Sequence, residues 1–219
     1  LSSDLIYQDV DGVDGAVASV SNLGSIAVNL TAQAIAETGS ASATVDSYGV
    51  LYQNADADDG SASASFTNGG AIEVALNAAA TGATSADASV TVSTEVFAQE
   101  AYADDGNATV SFNNTDSGSI SVALDALANG TDASASASFS YTAIYQYASV
   151  SGTGDASIEL LNDGSINFSA VAEANGTLNA DAEATLSDYG VYQSANADTG
   201  DASVSIVNNG DFTVSLLAD

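Results

Sequence analysis

"SDYGVYQSANADTGDASVSIVNNGDFTV", Ser187–Val214, holds two glycine turns, a Tyr-Gln pair and an alternation of Ala or Val with small polar residues. Nearly the same phrase stands at Asp46–Val74, "DSYGVLYQNADADDGSASASFTNGGAIEV". A chain that repeats itself at this spacing is built from stacked supersecondary units sharing one core. The alternation names the element. Ala62, Ala64 and Phe66, then Ile72, Val74, Leu76, Ala78 and Ala80, are spaced by single, mostly polar residues. That is the period of two of a strand with one buried and one wet face.

Outward from these two stretches, nine glycines mark the chain: Gly15, Gly39, Gly60, Gly82, Gly106, Gly130, Gly154, Gly176 and Gly200. Their mean spacing is near 23 residues. A second glycine often follows about ten residues later, as at Gly24, Gly49, Gly70, Gly118, Gly164, Gly190 and Gly210. Each unit thus reads as turn, strand, turn, strand.

The units alternate between two kinds. One carries an Asn before its second turn (Asn22, Asn68, Asn114, Asn162, Asn208), the other an aromatic residue and Gln (Tyr7-Gln8, Tyr52-Gln53, Phe97 to Gln99, Tyr145-Gln146, Tyr192-Gln193). The stricter repeat is therefore a pair of about 46 residues.

A 23-residue coil suits one turn of a parallel β-solenoid, whereas a 46-residue coil would enclose more volume than an Ala-rich core fills. The expected fold is all-β: a single array over residues 1–219, with 23-residue coils starting near the nine glycines and alternating in a 46-residue pair. Nine and a half such coils at roughly 4.8 Å make a rod about 45 Å long. Ala41, Ala43, Ala62 and Ala64 should be buried, in a cross-section that tapers from Ile, Leu, Val and Phe to Ala. An antiparallel meander is the alternative, because short glycine turns also suit hairpins.

Composition narrows the function. The chain has no Lys, Arg, His, Cys, Met, Trp or Pro, and its 29 Asp and Glu give a formal charge of −29. Nothing can neutralise nucleic-acid phosphates, and an anionic membrane surface repels the chain. No apolar run approaches the roughly 20 residues of a membrane span. Without Cys and His there is no thiolate chemistry, no zinc-thiolate site and no Ser/His/Asp or Cys/His catalysis. Two carboxylates would suffice for glycoside hydrolysis. Active sites break a repeat, however, and these acids keep step with it, so no enzyme is expected.

The recurring phrase N-x-G-x-I-x-V, set among Ala/Ser/Asp-rich strands over the whole chain, resembles the passenger regions of filamentous-haemagglutinin-like and autotransporter adhesins of bacteria. The resemblance implies a parallel β-helix located outside the cell or at its surface. This chain departs from many of those relatives in lacking every basic residue.

Three groups of side chains are candidates for a site. The acids Asp9, Asp11, Asp14, Asp56, Asp58, Asp59, Asp104, Asp105, Asp198 and Asp201 recur at one glycine corner, where carboxylates and turn carbonyls suit calcium (Ca²⁺); Asp-Gly is also ordinary turn chemistry. The parity of the Gln-bearing strands turns Gln53 and Gln193 inward, to bond backbone groups where the strand bends. The same parity turns Tyr52, Tyr145 and Tyr192 outward, where rings stack on sugars or on a neighbouring rod. The five repeat Asn residues are expected to close tight turns, using left-handed backbone geometry. Six N-x-S/T sequons, at Asn29, Asn107, Asn113, Asn129, Asn167 and Asn175, are only a few more than composition supplies by chance.

The expected function is that of an extracellular structural or adhesive rod at the cell surface or in the matrix; the alternative is a carbohydrate- or surface-binding module. Leu1–Gln8 matches Leu186–Gln193 in register, and Asp211–Asp219 is still repeat text. The rod is therefore expected to continue, through a longer chain or by self-association end to end.

Overall fold

The computed structural model describes residues 3–219; Leu1 and Ser2, the start of the expected register match, lie outside them. The described residues form a parallel β-solenoid with no helix. Coil 1 comprises β1 (Ile6–Gly12), β2 (Gly15–Asn22), β3 (Ser25–Ala36) and β4 (Ser40–Ser47). Coil 2 repeats it as β5 (Leu51–Asp59), β6 (Ser61–Asn68), β7 (Ala71–Gly82) and β8 (Ser85–Val92). In coils 3 and 4 the last two segments run on as one bent strand: β9 (Phe97–Asp105), β10 (Ala108–Asn114) and β11 (Ser119–Phe139), then β12 (Ile144–Thr153), β13 (Ala156–Asn162) and β14 (Ser165–Leu186). Coil 5 holds β15 (Val191–Thr199), β16 (Ala202–Asn208) and β17 (Asp211–Ala218).

Every pairing between these strands is parallel, so the meander alternative is excluded. Three sheets result. A glutamine sheet runs β1-β5-β9-β12-β15, an asparagine sheet β2-β6-β10-β13-β16, and a long bent sheet carries the remaining strands.

The coil length differs from the 23 residues expected. Ile6 pairs with Leu51, Leu51 with Phe97, Phe97 with Ile144 and Ile144 with Val191, so one coil is the whole pair of about 46 residues. Five coil levels at roughly 4.8 Å make a stack about 24 Å long, half the expected length. The nine glycines are thus of two kinds. Gly15, Gly60, Gly106, Gly154 and Gly200 turn the chain from the glutamine to the asparagine sheet, whereas Gly39, Gly82, Gly130 and Gly176 lie at the bend of the long sheet.

The volume objection fails because the large coil is flat. Around coil 2 the buried side chains read Leu51, Gln53, Ala55, Ala57, then Ala62, Ala64, Phe66, Asn68, then Ile72, Val74, Leu76, Ala78, Ala80, then Ala86, Ala88, Val90, Val92. In this coil each glycine corner is flanked on both sides by two alanines. Opposed strands there close to a thin wedge, and Phe, Ile, Leu and Val fill the wide middle between the two wedges. Ala55, Ala57, Ala62, Ala64 and their equivalents form one core cluster, while Phe66, Phe97, Phe112, Phe139 and Phe168 belong to the other. The expected burial of Ala41, Ala43, Ala62 and Ala64 is observed.

Two amide ladders replace apolar contacts along the core. Asn22, Asn68, Asn114 and Asn162 each donate from Nδ2 to Oδ1 of the Asn one coil on, at 2.7–2.8 Å, and also to a backbone carbonyl. Gln53, Gln99, Gln146 and Gln193 donate from Nε2 to Oε1 of the preceding Gln at 2.7–3.0 Å. The same Nε2 atoms reach across to the asparagine sheet, as Gln53 does to the carbonyl of Ser65 at 3.0 Å. The inward Gln contacts backbone as its parity requires. The Asn residues correct the left-handed part of the turn expectation, since no described residue other than glycine has positive φ, although Asn22 Oδ1 does accept from the nearby Gly24 amide and Asn114 Nδ2 does donate to the Gly118 carbonyl. They line the core because a buried amide that donates and accepts on every rung leaves little polar capacity unsatisfied.

Candidate functional site

The outer face of the glutamine sheet gathers the tyrosines. Tyr7, Tyr52, Ala98, Tyr145 and Tyr192 stand one above the other in register. Tyr7 and Tyr52 stack with centroids 5.1 Å apart, and Tyr145 and Tyr192 at 5.4 Å with planes only 4° apart. The in-register ladder produces these stacks, since identical side chains on successive rungs sit about 4.8 Å apart. Ala98 interrupts the column. Beside it, Glu100 accepts hydrogen bonds from the hydroxyls of Tyr52 at 3.4 Å and Tyr102 at 3.3 Å, and Tyr102 leans on Tyr147 at 5.4 Å.

This neighbourhood perturbs its ionisable groups. Burial pushes Glu100 above the usual carboxylate range, against the lowering effect of its two tyrosine donors. Burial and then the Glu100 charge raise the phenols of Tyr52 and Tyr102. Tyr145 is pushed up to about 12 by burial first and by Glu100 next.

Where the long sheet returns to the glutamine sheet, a groove of about 140 Å³ opens among Glu95, Thr142, Tyr145, Asp188, Tyr189 and Tyr192. Tyr189 lies 5.8 Å from Tyr192, tilted by 35°. Thr142 is buried and donates from Oγ1 to Asp188 Oδ2 at 3.4 Å. Two of the three tyrosines singled out in the sequence, Tyr145 and Tyr192, belong to this groove; Tyr52 sits across the Ala98 gap.

The acidic corner brings Asp11, Asp56 and Asp58 to the rim of one cavity of about 340 Å³, but it does not stack acids along the whole column. Asp11 is in register with Asp56, but the next rungs of that column are Tyr102, Ser149 and Asn196. Among the described residues no three acidic groups come together in a way that could hold a metal ion. Several of the acids bind the coils to one another instead. Asp104 Oδ1 accepts from the Ser151 hydroxyl at 2.7 Å, and Asp105 Oδ1 from both the amide and the hydroxyl of Thr153 at 3.0 and 2.8 Å. These two bonds hold Asp105 below the usual carboxylate range. Asp56 is raised, by burial first and then by the charges of Asp11, Asp58, Asp104 and Asp9. Asp9 accepts from the Asn54 side chain at 2.9 Å and from the Tyr7 hydroxyl at 3.3 Å. Asp14, Asp59, Asp198 and Asp201 lie around the same glycine turns without closing a ring of ligands.

Glu95, Glu100, Thr142, Asp188 and Tyr189 are functional candidates that strand parity alone does not find. The signal for them is the 46-residue alignment, which sets Tyr145 over Ala98 and Ser149 over Tyr102. Comparison of the chain with protein-family models, with curated proteins and with solved structures finds no match.

Proposed function

We propose that the protein is a non-catalytic structural rod, working outside the cell or at its surface. The observation that carries this reading is the unbroken stacking of like on like: strands of one coil pair in register with their counterparts on the next, and Asn and Gln recur at the same place on successive rungs. Stacked units of this kind make an extended scaffold that grows along one axis.

The amide ladders give the rod a direction. Each Asn donates to the Asn one coil on and each Gln to the Gln one coil back, so a further coil, whether of the same chain or of another copy, continues both ladders only when it is added head to tail with its strands parallel.

The extracellular setting is supported by the resemblance to adhesin passengers and by composition. Without Cys and Met the chain lacks the two side chains most readily oxidised, and without Lys and Arg it offers trypsin-like proteases nothing to cut.

Negative-stain imaging of the native material tests the proposal. Rods or fibres are expected, with about 4.8 Å of length for each coil. Compact globular particles, material found only inside the cell, or turnover of a polysaccharide by the purified protein would overturn the reading.

A further inference from the structure

We propose that the groove between Tyr145, Tyr189 and Tyr192 binds an organic cation, the ammonium or guanidinium head of a Lys or Arg side chain on a basic partner protein. The aromatic part is already assembled. Tyr145 and Tyr192 stack with nearly parallel planes, and Tyr189 tilts against Tyr192 at 35°, so π faces and ring edges line an angle rather than a flat wall. Rings so arranged attract cations through the negative potential of their faces.

Apart from the three tyrosine hydroxyls, the polar part of the groove accepts rather than donates. Glu95 and Asp188 present carboxylates, and the hydroxyl proton of Thr142 is engaged by Asp188 at 3.4 Å. A ligand that satisfies these groups must bring its own donors, as an ammonium or guanidinium does. No Lys, Arg or His side chain exists in the chain to neutralise them. Glu100, two residues along from Ala98 on the strand beside Tyr145, adds a further negative charge and, after burial, helps to raise that phenol.

The overall charge of −29 raises the local concentration of cations and excludes anionic ligands. A neutral sugar would gain the ring stacking but none of this attraction. The groove is lined by Glu95, Thr142, Asp188 and Tyr189 from the connections between coils and by two tyrosines of the glutamine sheet, so the proposal does not depend on the rod function.

The test is a titration of Nα-acetyl-arginine amide, and separately Nα-acetyl-lysine amide, into the protein at constant ionic strength, following tyrosine ring resonances. Saturable shifts at millimolar concentration are expected, with affinity about fivefold lower in Tyr189→Ala and also lower in Asp188→Asn. Both residues are exposed, and the melting temperature of each variant should stay within a few degrees of wild type, which separates loss of binding from loss of fold. Three results would overturn the proposal: shifts that grow linearly and are matched by sodium, equal affinity in wild type and both variants, or saturation by cellobiose with none by the arginine probe. The last would make the groove a sugar site. None of these readouts changes with rod length.

Discussion

Gln99→Leu is expected to destabilise the fold by about 3–5 kcal/mol, because three partners, two of them buried, lose a hydrogen bond at once. Gln99 donates from Nε2 to Gln53 Oε1 and to the Ser111 carbonyl, each at 3.0 Å, and accepts from Gln146 Nε2 at 3.0 Å. The leucine fills the space but satisfies none of them. At roughly 2–4 °C per kcal/mol for a chain of this size, the melting temperature followed by circular dichroism should fall by about 10 °C or more. Gln193→Leu is the internal control. It stands on the last rung, part-exposed, with only Gln146 below it and a long 3.5 Å contact to Ser205, and should cost about 1 kcal/mol. Equal effects at the two positions would show that the ladder does not hold the core.

Gly106→Ala is the second large effect. In a chain that carries alanine throughout its core, this would be a mild change at most positions. Here Gly106 has φ of +109°, and an added Cβ would run into the backbone carbonyl of Gly60 on the rung below. That carbonyl belongs to a tight stretch, in which the Gly60 amide donates to Asp105 at 2.6 Å and the Ala62 amide to Asn107 at 2.9 Å. Backbone strain of about 1–3 kcal/mol adds to the disturbed ladder, for a total of about 3–5 kcal/mol. Gly24→Ala should be nearly neutral, since φ there is not positive and a Cβ would meet nothing within 4 Å. Comparable melting temperatures for the two variants would contradict the stacked-glycine corner.

Strand period, facing and core membership were legible in the sequence because parity is a local property: Ala62, Ala64 and Phe66 point inward whatever lies on the next rung. Coil length is not local. Both halves of a coil turn at a glycine flanked by alanines, so their text looks like two repeats of one unit, and only the flattening of the whole loop joins them. The informative signal was the alternation of Asn-bearing and Gln-bearing units. A buried amide ladder needs the same side chain on successive rungs, which Asn68 over Asn22 and Gln53 over Gln8 achieve only at the longer spacing. The site was less legible for the same reason. Recurrent Asp-Gly text at the first corner suggested convergence, yet the column through Asp11 and Asp56 passes to Tyr102, whereas the groove joins Glu95, Thr142 and Asp188 from three different coils.

The most direct test of the 46-residue coil is a distance along the stack. The chain has no cysteine, so Ser19→Cys and Ser205→Cys introduce the only two attachment points for spin labels. Ser19, Ser65, Ser111, Glu159 and Ser205 are successive rungs of one column, and both end positions are exposed. Four rungs at about 4.8 Å place the two backbones about 19 Å apart, measurable by pulsed dipolar spectroscopy with labelled chains diluted in unlabelled protein. A distance distribution centred near that value is expected. One centred near 38 Å, the eight rungs of a 23-residue coil, would contradict the fold and the amide ladders built on it.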